Sequence, residues 1–420
     1  MKKILKNIGP GPLVAAAFIG PGTVTLCTIA GINFGYALLW AMTLSILATI
    51  ILQEMSLRLG VVTQRGLSET IRAEIKSPVI RNTVIILILS AIVIGNAAYE
   101  AGNISGGALG VKTLFGTPEF QIFSRSIDIW PIVIGLIAFV VLYIGNYKII
   151  ERALVFMVIL MSLAFLITAV ITKPNIFEVL EGMFIPQLPE KSILTVIGLI
   201  GTTVVPYNIF LHASLAKTKW KSETDLSFAR KDTVIAVVLG GIVSMCIIIS
   251  ASALSFQDIN NASDLALGIQ PLFGDFAKYF LSIGLFCAGI TSAITAPLAA
   301  AYVAAGCLNW GSSLRSKRFR GVWIFILFLG VFFSTIGFKS IEIIKFAQVA
   351  NGLLLPVIAG ILIWIIRCTM PFRGRCFFWC SETFLAWVIL SFQATLMLRN
   401  RNRVASYCLF SIKICFRNSS

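Results

Sequence analysis

The residues able to do chemistry in this apolar chain gather at two interruptions. The first apolar stretch, AAAFIGPGTVTLCTIAG, holds Gly20-Pro21-Gly22-Thr23 at its middle, and the sixth, LTVIGLIGTTVVPYNIFLHASLAK, holds Pro206 after Gly201-Thr202-Thr203. A proline removes a backbone donor and clashes with the preceding turn, while glycine lets the chain leave the helical basin. Both segments are therefore expected to break, with Pro21, Gly22 and Pro206 as the break residues. Unwound backbone cannot face lipid, because its N–H and C=O groups would go unsatisfied, so it lines a cavity or packs in protein. The donors at these breaks are all neutral: the Thr23 and Thr202 hydroxyls, the Asn208 amide, and carbonyls around Gly20 and Thr202. Such a set suits a hydrated or weakly charged solute. The competing reading is a pair of simple kinks.

Two ionisable residues stand out inside the apolar runs. Glu100, in LILSAIVIGNAAYEAGNISGG, is a functional candidate because an ionisable group in a membrane is costly. The alternative is that it lies near enough to the outer end of its helix to be hydrated. His212 is the single histidine of the chain. An imidazole titrates near neutrality and suits a proton relay, but without carboxylates nearby in sequence it reads equally as a hydrogen-bonded packing residue. Glu54 and Arg58 have the i, i+4 spacing of an interfacial ion pair.

Composition sets the solvent for these elements. The chain has 420 residues, 58% hydrophobic and 12% charged, with a mean hydropathy of +0.92, which is the profile of an integral membrane protein. Apolar runs long enough to span a bilayer fall near 11–36, 37–57, 82–109, 130–147, 153–172, 192–216, 233–256, 277–306, 322–338, 341–366 and 377–398. An all-α membrane protein of about eleven helices follows. Lys and Arg crowd alternate connections, as in Arg58 to Arg81, Lys217 to Lys231 and Arg315 to Arg320. Cytoplasmic loops collect such residues, so the N-terminus is expected inside, in a multi-pass protein of the cytoplasmic membrane. The net charge of +16 then reflects juxtamembrane loops in contact with membrane lipid, and no nucleic-acid partner is expected.

Interrupted segments at positions one and six are corresponding members of two five-helix halves, the sequence mark of an inverted-repeat secondary transporter. The wording agrees. GPGPLVAAAFIGPGTVTLCTIAGINFGYALLWAMTLSILATIILQEMSLRLGVVTQRGLSETI, residues 9–71, resembles the opening of Nramp divalent-metal transporters, whose signature reads Asp-Pro-Gly-Asn where this chain has Gly20-Pro21-Gly22-Thr23. VVPYNIFLHASLAKTK, residues 204–219, resembles the sixth-helix stretch of that family, and the runs CAGITSAITAPLAAAYVAAG and FAQVANGLLLPVIAGILI resemble its eighth and tenth helices. The likeness covers about 9–366.

The resemblance implies a LeuT-type fold of two inverted five-helix repeats, at about 9–172 and 192–366, with helices one and six broken at a central site. It implies metal ligands at the positions of Gly20, Thr23, Thr202 and Val205, where the family has Asp, Asn, a carbonyl and Met. The carboxylate and the soft sulfur are missing here, which removes the largest attractive term for a bare divalent ion. It also implies a proton route of acidic residues and histidines. Of these Glu100 and His212 remain, while Ser90, Ala97 and Tyr207 occupy other positions of the route.

Beyond residue 366 the composition changes. Residues 367–420 form a basic, cysteine-rich segment with one acid, Glu382, and one apolar run at 377–398. A shifted reading frame or a truncated gene end is the expectation for it. Cys376 and Cys380 have a spacing seen in zinc sites, without a second pair to complete one. The resulting expectation is a secondary transporter of a divalent metal ion, working by alternating access, with the metal as substrate and no cofactor. The alternatives are a same-fold transporter of a neutral or zwitterionic organic solute, or a non-transporting sensor or degenerate copy. No catalytic constellation is visible, so an enzyme is not expected. Substrate identity, coupling ion and oligomeric state are not legible.

Overall fold

The computed structural model describes residues 19–116, 119–122, 125–145, 148–254, 259–310, 314–336 and 339–369. Residues 370–420 of the basic segment, with the run at 377–398, and the start of the first apolar segment lie outside them.

Helix α1 (Pro21–Phe34) starts where the sequence places a break. Gly20 caps it in an extended conformation, φ −94° and ψ 177°, and Pro21 takes the first helical position, where its missing N–H costs nothing and its fixed φ suits the helix. Helix α2 (Leu39–Thr63) follows, then the short α3 (Leu67–Glu74) and the 38-residue α4 (Pro78–Phe115). A two-stranded antiparallel hairpin, β1 (Glu119–Ile122) and β2 (Arg125–Asp128), pairs Glu119 with Asp128. Lys112 near the end of α4 is ion-paired with Asp128, which ties the hairpin to the helix.

Helices α5 (Trp130–Ile144) and α6 (Lys148–Ile171) come next. Beyond α6 the chain bends by 119° into α7 (Ile176–Phe184). Asn175 caps that helix by accepting a hydrogen bond from the Phe177 N–H at 3.1 Å. The sixth apolar segment is two helices, α8 (Ile193–Thr203) and α9 (Pro206–Lys219). Between them Val204 and Val205 leave the helical basin, at ψ 82° and 122°, as the proline that follows requires. The second half continues with α10 (Leu226–Ser252), α11 (Ala262–Ala266), α12 (Gln270–Phe273), α13 (Ala277–Leu308), α14 (Lys317–Thr335) and α15 (Ser340–Thr369).

Helix α4 is the centre of the packing, with α13, α14 and α15 around it. Its seam with α13 is made of small residues: a Cβ on Gly289 would lie 2.6 Å from the Gly107 Cα. Apolar lipid offers no hydrophobic drive between helices, so close backbone approach of this kind holds them together. Outward-facing Leu136, Phe156, Ile235 and Phe328 are exposed along the periphery, as a bilayer-embedded surface requires.

One boundary and one alternative reading change. The third apolar run was bounded at 82–109, but α4 continues to Phe115. Glu100 is accordingly not a hydrated residue near a helix end; its relative exposure is 0%.

Candidate functional site

The start of α1 and the α8–α9 junction meet. The Thr23 and Thr202 Oγ1 atoms are 2.7 Å apart and hydrogen-bonded, both buried. Pro21 packs on α4 at Gly106, where any side chain would overlap the proline ring. Gly201 and Gly352 bring α8 and α15 to backbone contact: a Cβ on Gly201 would lie 2.5 Å from the Gly352 nitrogen. These small-residue contacts fix Thr202 opposite Thr23.

Around the pair stand residues that sequence reasoning missed. Gln348 of α15 lies against Gly22, so closely that any side chain there would overlap its amide. Its Oε1 is buried without a hydrogen-bond partner among the described residues. At Gly20, the nearest atoms to an added Cβ are the Ser292 Oγ of α13 at 3.3 Å and the Tyr99 hydroxyl of α4 at 3.8 Å. The Tyr99 ring meets Tyr207 edge-on, with centroids 5.4 Å apart and an interplanar angle of 64°. The polar residues Gln348 and Asn351, spaced i, i+3 in an apolar run, were the available signal for α15.

The other candidates divide. Val205 is the buried cap of α9, and its carbonyl accepts the Asn208 N–H at 3.0 Å. The Asn208 amide nitrogen is buried without a partner among the described residues. His212, fully buried, places Nδ1 2.6 Å from the Gln53 Oε1 and Nε2 3.4 Å from the Thr233 hydroxyl. These contacts join α2, α9 and α10. Glu100 sits at Gly330 of α14, where a Cβ would overlap it, and its Oε2 is 3.5 Å from the Asn103 amide. Its Oε1 has no hydrogen-bond partner among the described residues. Tyr99 faces the break, whereas Glu100, one residue on, faces α14.

Among the described residues, no three His, Cys, Asp or Glu side chains stand together as a metal-ion cluster. The centre offers hydroxyl, amide and carbonyl groups, the chemistry of hard, oxygen-preferring ligation.

A multi-pass membrane transporter of LeuT-type fold is the class this arrangement defines. The fold aligns with Mhp1, a nucleobase-cation-symport-1 family transporter, at TM-score 0.54 and 16% identity, over 86% of this chain and 78% of Mhp1. It aligns with the manganese transporter of Eremococcus coleocola, solved as the H236A mutant, at TM-score 0.69 and 20% identity, over 98% of this chain and 91% of that one. The divalent metal cation transporter MntH of Bacillus subtilis is 29% identical over 328 residues, 75% of this chain and 74% of that protein. A family model described as natural resistance-associated macrophage protein-like matches residues 11–398. The chain belongs to the Nramp family. The match runs past residue 366, where the likeness read from the sequence ends.

Proposed function

We propose that the protein is a secondary transporter of a divalent metal cation, carried by alternating access through the centre where α1 begins and α8 gives way to α9. The single observation behind this reading is the convergence of Thr23, Thr202 and the Gln348 oxygen, which has no hydrogen-bond partner among the described residues, on the start of α1 and the α8–α9 junction. Relatives named as divalent metal cation transporters support the substrate class. The site residues are Gly20, Thr23, Thr202 and Asn208, with Val205 at the position of the family's sulfur ligand and Gln348 added.

The chemistry follows from the donors. Neutral oxygens cannot replace the full hydration energy of a bare divalent ion, because no carboxylate supplies the Coulombic term. The cation therefore keeps part of its water shell, and the hydroxyls and amide bind both the ion and its waters. The membrane is the cytoplasmic one, with the N-terminus inside, as the Lys and Arg asymmetry supports. With Ala97, Ser90 and Tyr207 in the family's proton-route positions, uptake proceeds without proton co-transport.

Uptake into proteoliposomes from a panel of divalent metals and amino acids, with and without a proton gradient, tests the reading. Manganese flux with no amino-acid flux is expected. Amino-acid uptake without metal flux would favour the organic-solute alternative, which the neutral centre itself recommends. No flux of either would favour a sensor or degenerate copy.

A further inference from the structure

Residue 20 carries no side chain, and two hydroxyls from other helices stand beside it. The Ser292 Oγ lies 3.3 Å and the Tyr99 hydroxyl 3.8 Å from the point a Gly20 Cβ would occupy. They come from different helices, α13 and α4, and both residues are 2% exposed. Neither reaches that point by chance of a loose rotamer. Tyr99 is held by its edge contact with Tyr207, and Tyr207 is fixed one residue after the Pro206 start of α9. Ser292 lies on the α13 face packed against the α4 glycine seam.

We propose that Tyr99 and Ser292 are specificity-determining residues of the transport site, their hydroxyls standing in for the absent residue-20 side chain and hydrogen-bonding the waters retained by the cation. This rests on the reading of the centre as the transport site. A carboxylate would pull water from the ion and favour direct ligation. Two hydroxyls instead accept from and donate to bound water, so they reward a cation that arrives hydrated. The geometry also makes Gly20 and Ser292 interdependent. A Cβ at residue 20 would be tighter against Ser292 Oγ than an ordinary carbon–oxygen contact, so a carboxylate introduced there competes with the serine for the same space.

The test is manganese uptake by full-length protein in proteoliposomes, with manganese binding measured by calorimetry on the same preparations. Tyr99→Phe and Ser292→Ala should each raise KM for manganese by roughly tenfold, the scale of one lost hydrogen bond to a charged assembly, with little change in maximal flux. In a Gly20→Asp background the sign should invert for the serine: Ser292→Ala should tighten manganese binding by relieving the crowding. A purely structural role would lower the amount of monodisperse protein and give no sign change. Retained flux with unchanged KM in both single variants would overturn the assignment while leaving the transport reading intact. Absence of manganese flux and binding in the unmodified protein would overturn the transport reading, and the assignment with it.

Discussion

The centre of the molecule and the rim formed by the ends of α2, α3, α9 and α10 treat polarity in opposite ways. At the rim, charge is matched with charge. Glu54 of α2 takes Arg58 at 3.1 Å and Arg230 of α10 at 2.6 Å, and Glu69 of α3 holds Lys217 of α9 at 2.6 Å. Arg72 adds a hydrogen bond to the Cys307 carbonyl at 2.9 Å. At the centre, the Thr23–Thr202 pair is neutral, while Gln348 Oε1 and Asn208 Nδ2 are buried and have no hydrogen-bond partner among the described residues. A buried polar group without a partner costs about 1–3 kcal/mol, whereas a partly exposed ion pair contributes about 0–1 kcal/mol. The rim fastens elements cheaply, in reach of water. On the transport reading proposed above, a solute supplies the partners of the polar groups at the centre.

The largest effect should come from filling the centre. Leucine at Gly20 and Gly22 together would overlap Gln348 and press on Ser292, so uptake should fall to background while insertion survives, because the segment becomes more apolar. Flux in monodisperse protein is the measurement. Normal flux in this double variant and in Thr23→Val would remove the α1 start from the site and leave the centre no different in kind from a kink.

Making the centre resemble the rim should have the next largest effect. Gly20→Asp with Val205→Met supplies a carboxylate and a thioether to the neutral set, and manganese affinity should rise by one to two orders of magnitude, about 1.4–2.8 kcal/mol. Titration calorimetry on both forms decides it. Tight manganese binding by the unmodified protein would show that neutral oxygens suffice or that the ligands lie elsewhere.

How far this contrast could be read from the sequence depends on the residue. Pro206 announces its own break, because proline constrains the residue before it and lacks a donor, and the structure ends α8 three residues earlier. The apolar runs predict α2, α5, α10, α13, α14 and α15 to within several residues, since lipid contact writes hydrophobicity continuously along them. For Glu100 only the alternative of a hydrated helix end falls away, because α4 outlasts its apolar run: Lys112 sits inside the helix and reaches the hairpin carboxylate of Asp128. Tyr99, Ser292 and, apart from its i, i+3 spacing with Asn351, Gln348 do not stand out as site residues in the sequence, for a different reason. Hydroxyls and amides occur throughout membrane helices, and only the approach of α4, α13 and α15 to two glycines selects these three.

A smaller effect is expected at Glu100, the buried carboxyl on the α14 side of α4. If uptake is uncoupled from protons, a pH-sensitive dye inside liposomes should report no substrate-driven acidification, in the unmodified protein or in Glu100→Gln. Acidification that disappears in Glu100→Gln would make this residue a proton carrier. It would also extend the centre's chemistry across α4, erasing the division between Tyr99 on one face and Glu100 on the next.

The smallest effect belongs to the rim. Arg230 is 45% exposed in its side chain and shares Glu54 with Arg58, so Arg230→Ala removes one of two partners and leaves the carboxylate an ion pair on its own helix. Solvent screens what is lost, and the expected destabilisation is about 0.2–1 kcal/mol, shrinking as salt rises. Manganese KM should not move, because no group at the centre touches this pair. Thermal melts at low and high salt, with uptake kinetics on the same preparations, check both statements. A KM shift as large as that expected for Tyr99→Phe would mean that the rim and the centre are energetically one unit: the α2–α10 ion pair would then bias the position of α9, and with it Thr202, through the His212 contacts to Gln53 and Thr233.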